Sequence, residues 1–204
     1  MARLRKFCAY RSIKRPYTRY SKYKAKSFVR ARPANRIARY VSGKEQDYPF
    51  LIHLVAKNKV QIRDNAIESA RLTANRTIEK VLGKIGFYLK VRIYPHHIMR
   101  ENPLAAGAGA DRLSTGMAHS FGKPIGVAAQ VRVGQELYTI GTTKEHVALA
   151  RTALKKAAKK LPLVCGIKVD DLTITSKSKN LLATTITTEP TKKEDNLPAE
   201  QANA

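Results

Sequence analysis

The residues best suited to chemistry cluster in "ENPLAAGAGADRLSTGMAHSFGKPIG", Glu101 to Gly126, which holds five of the chain's eleven glycines. A dinucleotide loop would need a strand directly before "GAGADR", a third glycine in register and a helix after it. The third position is unmatched and no clear helix follows. A P-loop would end in Lys-Ser or Lys-Thr, whereas Lys123 is followed by Pro124. His96, His97 and His119 are possible metal ligands, but adjacent histidines point apart and no cysteine or carboxylate cluster completes a set. Ser114 or Ser120 with His119 and Asp111 makes a triad only on paper, without the spacing of a nucleophile elbow. Cys8 and Cys165 are far apart and unpaired in spacing, which fits a reducing compartment and two unbonded thiols that serve as small buried side chains. No catalytic residue, metal or cofactor is therefore expected.

What remains is charge. The chain carries 39 Lys and Arg against 15 Asp and Glu, a formal net charge of +24 over 204 residues. Such a surplus calls for a polyanion. Residues 1–44 hold 15 Lys and Arg and no acid, residues 45–170 hold 20 against 10, and residues 171–204 hold 4 against 5. The chain reads as a basic arm (1–46), a mildly basic globular body (47–170) and a polar, mobile tail (171–204). In the arm, Arg3, Arg5, Lys6, Arg11, Lys14, Arg15, Arg19, Lys22, Lys24 and Lys26 alternate with aromatics that include Tyr17 and Tyr20. Cations neutralise phosphates and release counterions, and aromatic rings stack on exposed bases. The arm is expected to order only against nucleic acid. Pro16 and Pro33 argue against an organellar transit peptide, and no amphipathic stripe or lipidation signal supports a membrane-surface segment. No apolar run approaches the roughly 18 residues of a membrane span.

The body must position these groups. "PFLIHLVAK" and "KVQIR" read as paired strands, and "DNAIESARLTANRTIEKVLG" as a helix with Ile67, Ala70, Ala74, Ile78 and Val81 on one face. Asn65 and Glu68 have capping-box spacing, Asp64 is an alternative cap, and Gly83 is a stop. Arg71 and Arg76 lie off the stripe, toward solvent or a ligand. "GFYLKVRIY" alternates, with Phe87, Leu89, Val91 and Ile93 inside and Tyr88, Lys90, Arg92 and Tyr94 outside. "IGVAAQVRV", a hairpin turn at Gly134-Gln135 and "ELYTI" lead to a second helix. That helix buries Val147, Ala150, Leu154, Ala157 and Leu161 and carries Arg151, Lys155, Lys156, Lys159 and Lys160 on its other side. "LVCGIKV" is a final strand. The pattern predicts an α+β fold, an antiparallel sheet with two helices packed on one face, a long basic arm and a projecting glycine-rich loop over 100–123. A loop of that length inside a compact domain is usually functional or disordered. Its glycines allow close approach to a surface, and Arg100, Arg112 and Lys123 make it basic.

These residues resemble a known family. "YPHHIMRENPLAAGAGADRLSTGMAHSFGKPIGVAAQV", "YPFLIHLVAKNKVQIRDNAIESARLTANR" and "EHVALARTALKKAAKKLP" are similar, in the same order, to the universal large-subunit ribosomal protein sixteen family in its archaeal and eukaryotic form, also called ten-e. The resemblance spans residues 47–169 and the "KRPYTR" element of the arm, and the chain looks closest to archaeal members. It implies the family's α+β fold and a place on large-subunit rRNA beside the A site, among neighbouring ribosomal proteins. It also implies that Arg100, Glu101, Asn102, Gly107, Gly109, Ala110, Asp111 and Arg112 point toward A-site and P-site tRNA acceptor ends near the peptidyl transferase centre. Gly116, Met117, Phe121, Gly122, Lys123, Pro124 and Gly126 match the return segment. Arg71, Arg76, Lys90, Arg92 and Lys123 join the arm as expected rRNA contacts, in a cytoplasmic large subunit where RNA does the chemistry. The tail after Asp171 has no counterpart. The rival readings are an RNA-acting enzyme using Asp111 and His119, or a non-ribosomal RNA-binding module.

Overall fold

The computed structural model describes residues 5–13, 21–26, 33–102 and 120–172. Among the described residues ten helices and strands follow in order: β1 (Val41–Gly43), β2 (Phe50–Ala56), β3 (Val60–Arg63), α1 (Asp64–Leu82), β4 (Tyr88–Val91), β5 (His97–Glu101), β6 (Lys123–Val131), β7 (Glu136–Thr142), α2 (Val147–Ala158) and β8 (Cys165–Asp171). All strand pairs are antiparallel. The α+β class and the two helices agree with the sequence. The strands divide between two sheets, however: a five-stranded one in the order β1-β4-β7-β2-β8, and a three-stranded one in the order β3-β6-β5.

Two local expectations fail as a result. β2 and β3 are consecutive but do not pair; β2 lies between β7 and β8, and β3 pairs with β6. Gly134-Gln135 does form a turn, with Gly134 at φ 79° and its N–H donating to the Ala56 carbonyl at 2.8 Å. That turn carries the chain from β6 in one sheet to β7 in the other, so it closes no hairpin ladder.

The larger sheet presents ordered rows to the core. Leu89, Ile140, Ile52 and Val169 are cross-strand neighbours, and so are Val91, Tyr138, Leu54 and Ile167. Ile52, Leu54, Tyr138 and Ile140 are wholly buried. Cross-strand apolar pairs of this kind stabilise a sheet by roughly 0.2–1 kcal/mol each. Helix α2 covers this face with Ala150, Ala153, Leu154 and Ala157, and α1 packs beside α2 and reaches β3 and β6. Ile67, Ala70, Ala74 and Ile78 are fully buried as the spacing predicts, while Val81 is exposed in the last turn. Gly83 ends α1 at φ 69°, a conformation that suits glycine, and its N–H donates to the Glu79 carbonyl.

The start of α1 differs from a capping box. Arg63 occupies the cap position without a side-chain capping bond to the helix. Asp64 is the first helical residue and is buried; its Oδ1 accepts the Asn65 N–H at 2.8 Å, and its Oδ2 accepts the Arg36 N–H at 3.2 Å. A carboxylate there also complements the helix dipole. Glu68 turns to Arg71 and to the Ala38 N–H at 3.3 Å. These bonds draw residues 33–46, basic by composition, into the fold. Ile37 joins the core, and β1 pairs with β4. Among the described residues no helix is long and apolar enough to cross a membrane.

Tyr138 ties the layers together: its hydroxyl donates to the Ile67 carbonyl of α1 at 2.7 Å. Burial pushes the phenol far above its ordinary range, so it stays a neutral donor. Tyr138→Phe is expected to lower the unfolding free energy by about 1 kcal/mol. Tyr138→Ala, which empties a wholly buried site, is expected to cost about 3–5 kcal/mol. Chemical denaturation would measure both, and equal losses would show that the hydroxyl bond, not the ring, dominates.

Candidate nucleic-acid interface

The first described stretch of the arm, residues 5–13, contains a 3-10 turn at Phe7–Ala9 and lies along the outer edge of β3. The Gln61 N–H donates to the Arg11 carbonyl at 3.1 Å, and the Gln61 side-chain amide donates to the Tyr10 carbonyl at 3.1 Å. Arg63 Nη1 donates to the Arg5 carbonyl at 3.1 Å. The backbone of this stretch therefore satisfies an otherwise open strand edge. The expectation that the arm orders only against nucleic acid does not hold here, because β3 supplies a protein partner for its backbone. Its cations still face outward: Arg5, Lys6 and Arg11 are exposed. Lys22 and Lys26 are exposed as well, with the Lys26 ammonium 5.5 Å from the Tyr23 ring. Lys24 lies in a second 3-10 turn. Arg3, Lys14, Arg15, Tyr17, Arg19 and Tyr20 lie outside the described residues.

The arm meets the neck of the glycine-rich segment. Arg5 Nε donates to Glu101 Oε1 at 2.6 Å, and the Tyr10 hydroxyl donates to Glu101 Oε2 at 2.8 Å. The Arg5 backbone N–H in turn donates to the Tyr10 hydroxyl at 3.2 Å. On the β5–β6 ladder Glu101 faces Lys123 and Arg100 faces Pro124, with an irregularity between Met99 and Arg100. The Arg100 guanidinium sits 3.9 Å from the centre of the Phe121 ring, a cation–π contact. At Gly122 a β-carbon would come within 2.6 Å of the Glu101 carbonyl carbon and 2.9 Å of the Asn102 nitrogen, so only glycine lets the two strands approach this closely. Arg100, Glu101 and Asn102 thus sit at the neck. Gly107, Gly109, Ala110, Asp111, Arg112, Gly116 and Met117 lie outside the described residues, as does nearly all of 171–204.

The cations expected on the body separate clearly. Arg71 is buried, not solvent-facing: it bonds both Glu68 oxygens, at 2.6 and 2.9 Å, and its Nη1 reaches the Ser42 hydroxyl at 3.3 Å. Its charge is committed inside the protein. Arg76 and Lys123 are exposed, and Lys90 is half-buried. Arg92 is exposed but pairs with Glu136 at 3.2 Å. On α2, Arg151, Lys155 and Lys156 are exposed, followed by exposed Lys159 and Lys160, a face without an acid. Among the described residues no group of three or more His, Cys, Asp or Glu side chains could hold a metal ion.

Two features escape a reading by sequence. Tyr40 stacks on Tyr94 with centroids 5.3 Å apart, and Tyr94 meets exposed His96 at 4.5 Å. The two-residue spacing of Tyr94 and His96 hints at a shared face, but nothing local brings Tyr40 to it. The Arg5–Glu101 pair, 96 residues apart, carries no local signal at all.

The Arg5 hydrogen bond holds the Glu101 carboxyl below its ordinary range, and burial raises the Tyr10 phenol. A carboxylate with a lowered folded-state value contributes stability above its unfolded value and loses it as pH falls through the lowered one. The neck pair is expected to survive through the normal carboxylate range and to weaken only in stronger acid. The carbon chemical shift of the Glu101 carboxyl would follow this, and a midpoint at or above that of a free glutamate would refute it.

Comparison with known proteins identifies the family. A family model described as ribosomal protein L16p/L10e matches residues 14–168. A relative from Methanococcus aeolicus named large ribosomal subunit protein uL16 is 45% identical over 168 residues, covering 81% of this chain and 94% of its own. Proteins of the same name from Archaeoglobus fulgidus and Staphylothermus marinus are 42% and 43% identical, covering 79% and 75% of this chain and 90% of their own lengths. A match that takes in the arm from Lys14, both sheets and both helices, at this identity, means that the chain belongs to the ribosomal protein L16p/L10e family, in its archaeal form.

Proposed function

We propose that the chain is a structural, non-enzymatic constituent of the large ribosomal subunit that holds large-subunit rRNA near the A site and helps position tRNA. Family membership supplies the subunit and the structural role. The observation that carries the RNA reading is the acid-free arm: it docks by its backbone on β3 while exposing Arg5, Lys6 and Arg11. Docking of this kind leaves the charges of Lys6 and Arg11, and the part of the Arg5 fork not bonded to Glu101, for phosphates. The exposed face of α2, Arg76, Lys90 and Lys123 extend the cationic surface, and Arg92 adds to it beyond its pair with Glu136. Arg71 contributes through the fold, not by direct contact. The reading that Arg100, Glu101 and Asn102 lead a segment toward tRNA acceptor ends is supported by the family motif and by the close approach of Gly122 to Glu101 and Asn102.

The protein is expected to co-sediment with large subunits in a native lysate and to leave them steeply as salt rises, because each phosphate contact adds about 0.7–0.9 to the slope of log affinity against log salt. Recovery in the free-protein fraction at low salt would refute the proposal. Deleting Asn102–Ala110 should spare thermal stability and subunit binding while reducing tRNA binding and peptide synthesis by the resulting ribosomes. If the deletion unfolds the protein, the segment belongs to the core and the tRNA reading fails.

A further inference from the structure

We infer that Glu101 is a positioning residue: it joins the basic arm to the neck of the glycine-rich segment, so that RNA held by the arm also fixes how β5 and β6 present that segment. The inference rests on the reading of the arm as an RNA-binding element.

The geometry is specific. Glu101 is the last residue of β5, and its side chain is 13% exposed. Both carboxylate oxygens are used, one by Arg5 and one by Tyr10, so the side chain is held at two points. The same two arm residues are fixed to β3, Arg5 through its carbonyl to Arg63 and Tyr10 through its carbonyl to Gln61. β3 and β5 are the two outer strands of the small sheet, on opposite sides of β6. The arm thus bridges from one outer strand to the end of the other, and Glu101 is the side chain that closes this bridge beside the coupling β6 itself provides. Arg5 is still 61% exposed while it makes this bond. A guanidinium offers five donors in a fixed fork, so Arg5 can hold Glu101 and a phosphate together. Phosphate binding would then rigidify the arm and, through Glu101, the neck.

An acid at this place is otherwise costly. Residues 1–44 carry no acid, and a carboxylate beside an RNA-facing arm repels phosphate. A glutamine would avoid that repulsion, yet it could accept at only one oxygen and would turn a donor toward the other partner. The carboxylate alone accepts from Arg5 and Tyr10 at once.

The test is amide hydrogen exchange on the full chain, wild type against Glu101→Gln, Arg5→Gln and the double variant. The Gln61 N–H, bonded to the Arg11 carbonyl, reports arm docking, the amides of Arg100 and Lys123 report the neck, and β2 amides report global folding. Glu101→Gln should speed exchange at both arm and neck reporters by about tenfold with β2 unchanged, as loss of a charge-assisted bond allows. The double variant should exchange no faster than either single one. Adding purified large-subunit rRNA should slow the neck amides of wild type and not those of Glu101→Gln. Additive single effects, a neck that responds without Gln61, or equal protection by rRNA in both proteins would overturn the inference. Wild type that binds no rRNA would overturn the RNA-binding reading, while exchange in the free protein would still decide whether Glu101 couples arm and neck.

Discussion

The ladder that β6 makes with β3 at one end and β5 at the other is the constraint on which the functional half of this protein depends. Val131 to Ala128 face Val60 to Arg63, and Ala128 to Lys123 face His97 to Glu101. Ala128 belongs to both ladders, so the register of one fixes the register of the other. A slip of one residue would exchange the residues that β6 turns to its two covered faces and move Glu101 away from the arm. Residues 126–129 are buried without a break, and successive strand residues point to opposite faces, so both faces of the small sheet are covered there. Gly126, Ala128 and Ala129 keep the strand slim enough for this. From that fixed centre one end of β6 leads to the neck, and the other turns at Gly134 into the larger sheet.

The cations of the chain do two kinds of work, and burial separates them. Arg71 is enclosed and balanced by Glu68, and together they hold Ser42 and Ala38, which brings the stretch around β1 against α1. That pair shapes the fold and contributes little net charge to any partner. Arg5, Lys6 and Arg11, like the lysines of α2, are exposed and far outnumber the acids nearby. Isolated surface ion pairs contribute about 0–1 kcal/mol, so neutralising such a surface within the protein would gain little stability. Against a polyanion, by contrast, each cation releases a counterion.

The apolar stripe of α1 and the alternation of β4 were legible because period alone determines which face is buried, whereas on β6 Gly126 and Ala128 are buried along with Val127 and Ala129, so alternation there marks no open face. Period does not name the partner strand. "PFLIHLVAK" and "KVQIR" look like a hairpin, and only the packing of two helices over two sheets separates them. Residue type misleads at Arg71, which stands at i+4 from Ile67 and i−3 from Ala74; by spacing it belongs at the edge of the buried stripe, and charge alone suggested otherwise. Tyr88 is similar. It alternates to the outer face, yet it is buried there, and its hydroxyl donates to Glu45 at 2.9 Å. At the candidate site, the family motif pointed to Arg100, Glu101 and Asn102, but not to what they touch, since Arg5 and Tyr10 are more than ninety residues away.

That distance explains why one acid matters in so basic a neighbourhood. Fifteen cations with no acid among them in residues 1–44 repel one another, and repulsion alone would keep the arm off the body. Bonds from the Gln61 N–H and the Gln61 and Arg63 side chains of β3 to arm carbonyls oppose this, but they read only main-chain oxygens and would suit any extended segment. Glu101 adds the discriminating attraction: it accepts a guanidinium and a phenol at fixed separation, which selects the register in which Arg5 and Tyr10 reach it. Because Glu101 ends the strand that leads into the glycine-rich segment, the choice of arm register and the set of the neck are one event. This one acid thus sets where the exposed cations of the arm stand relative to the end of β5.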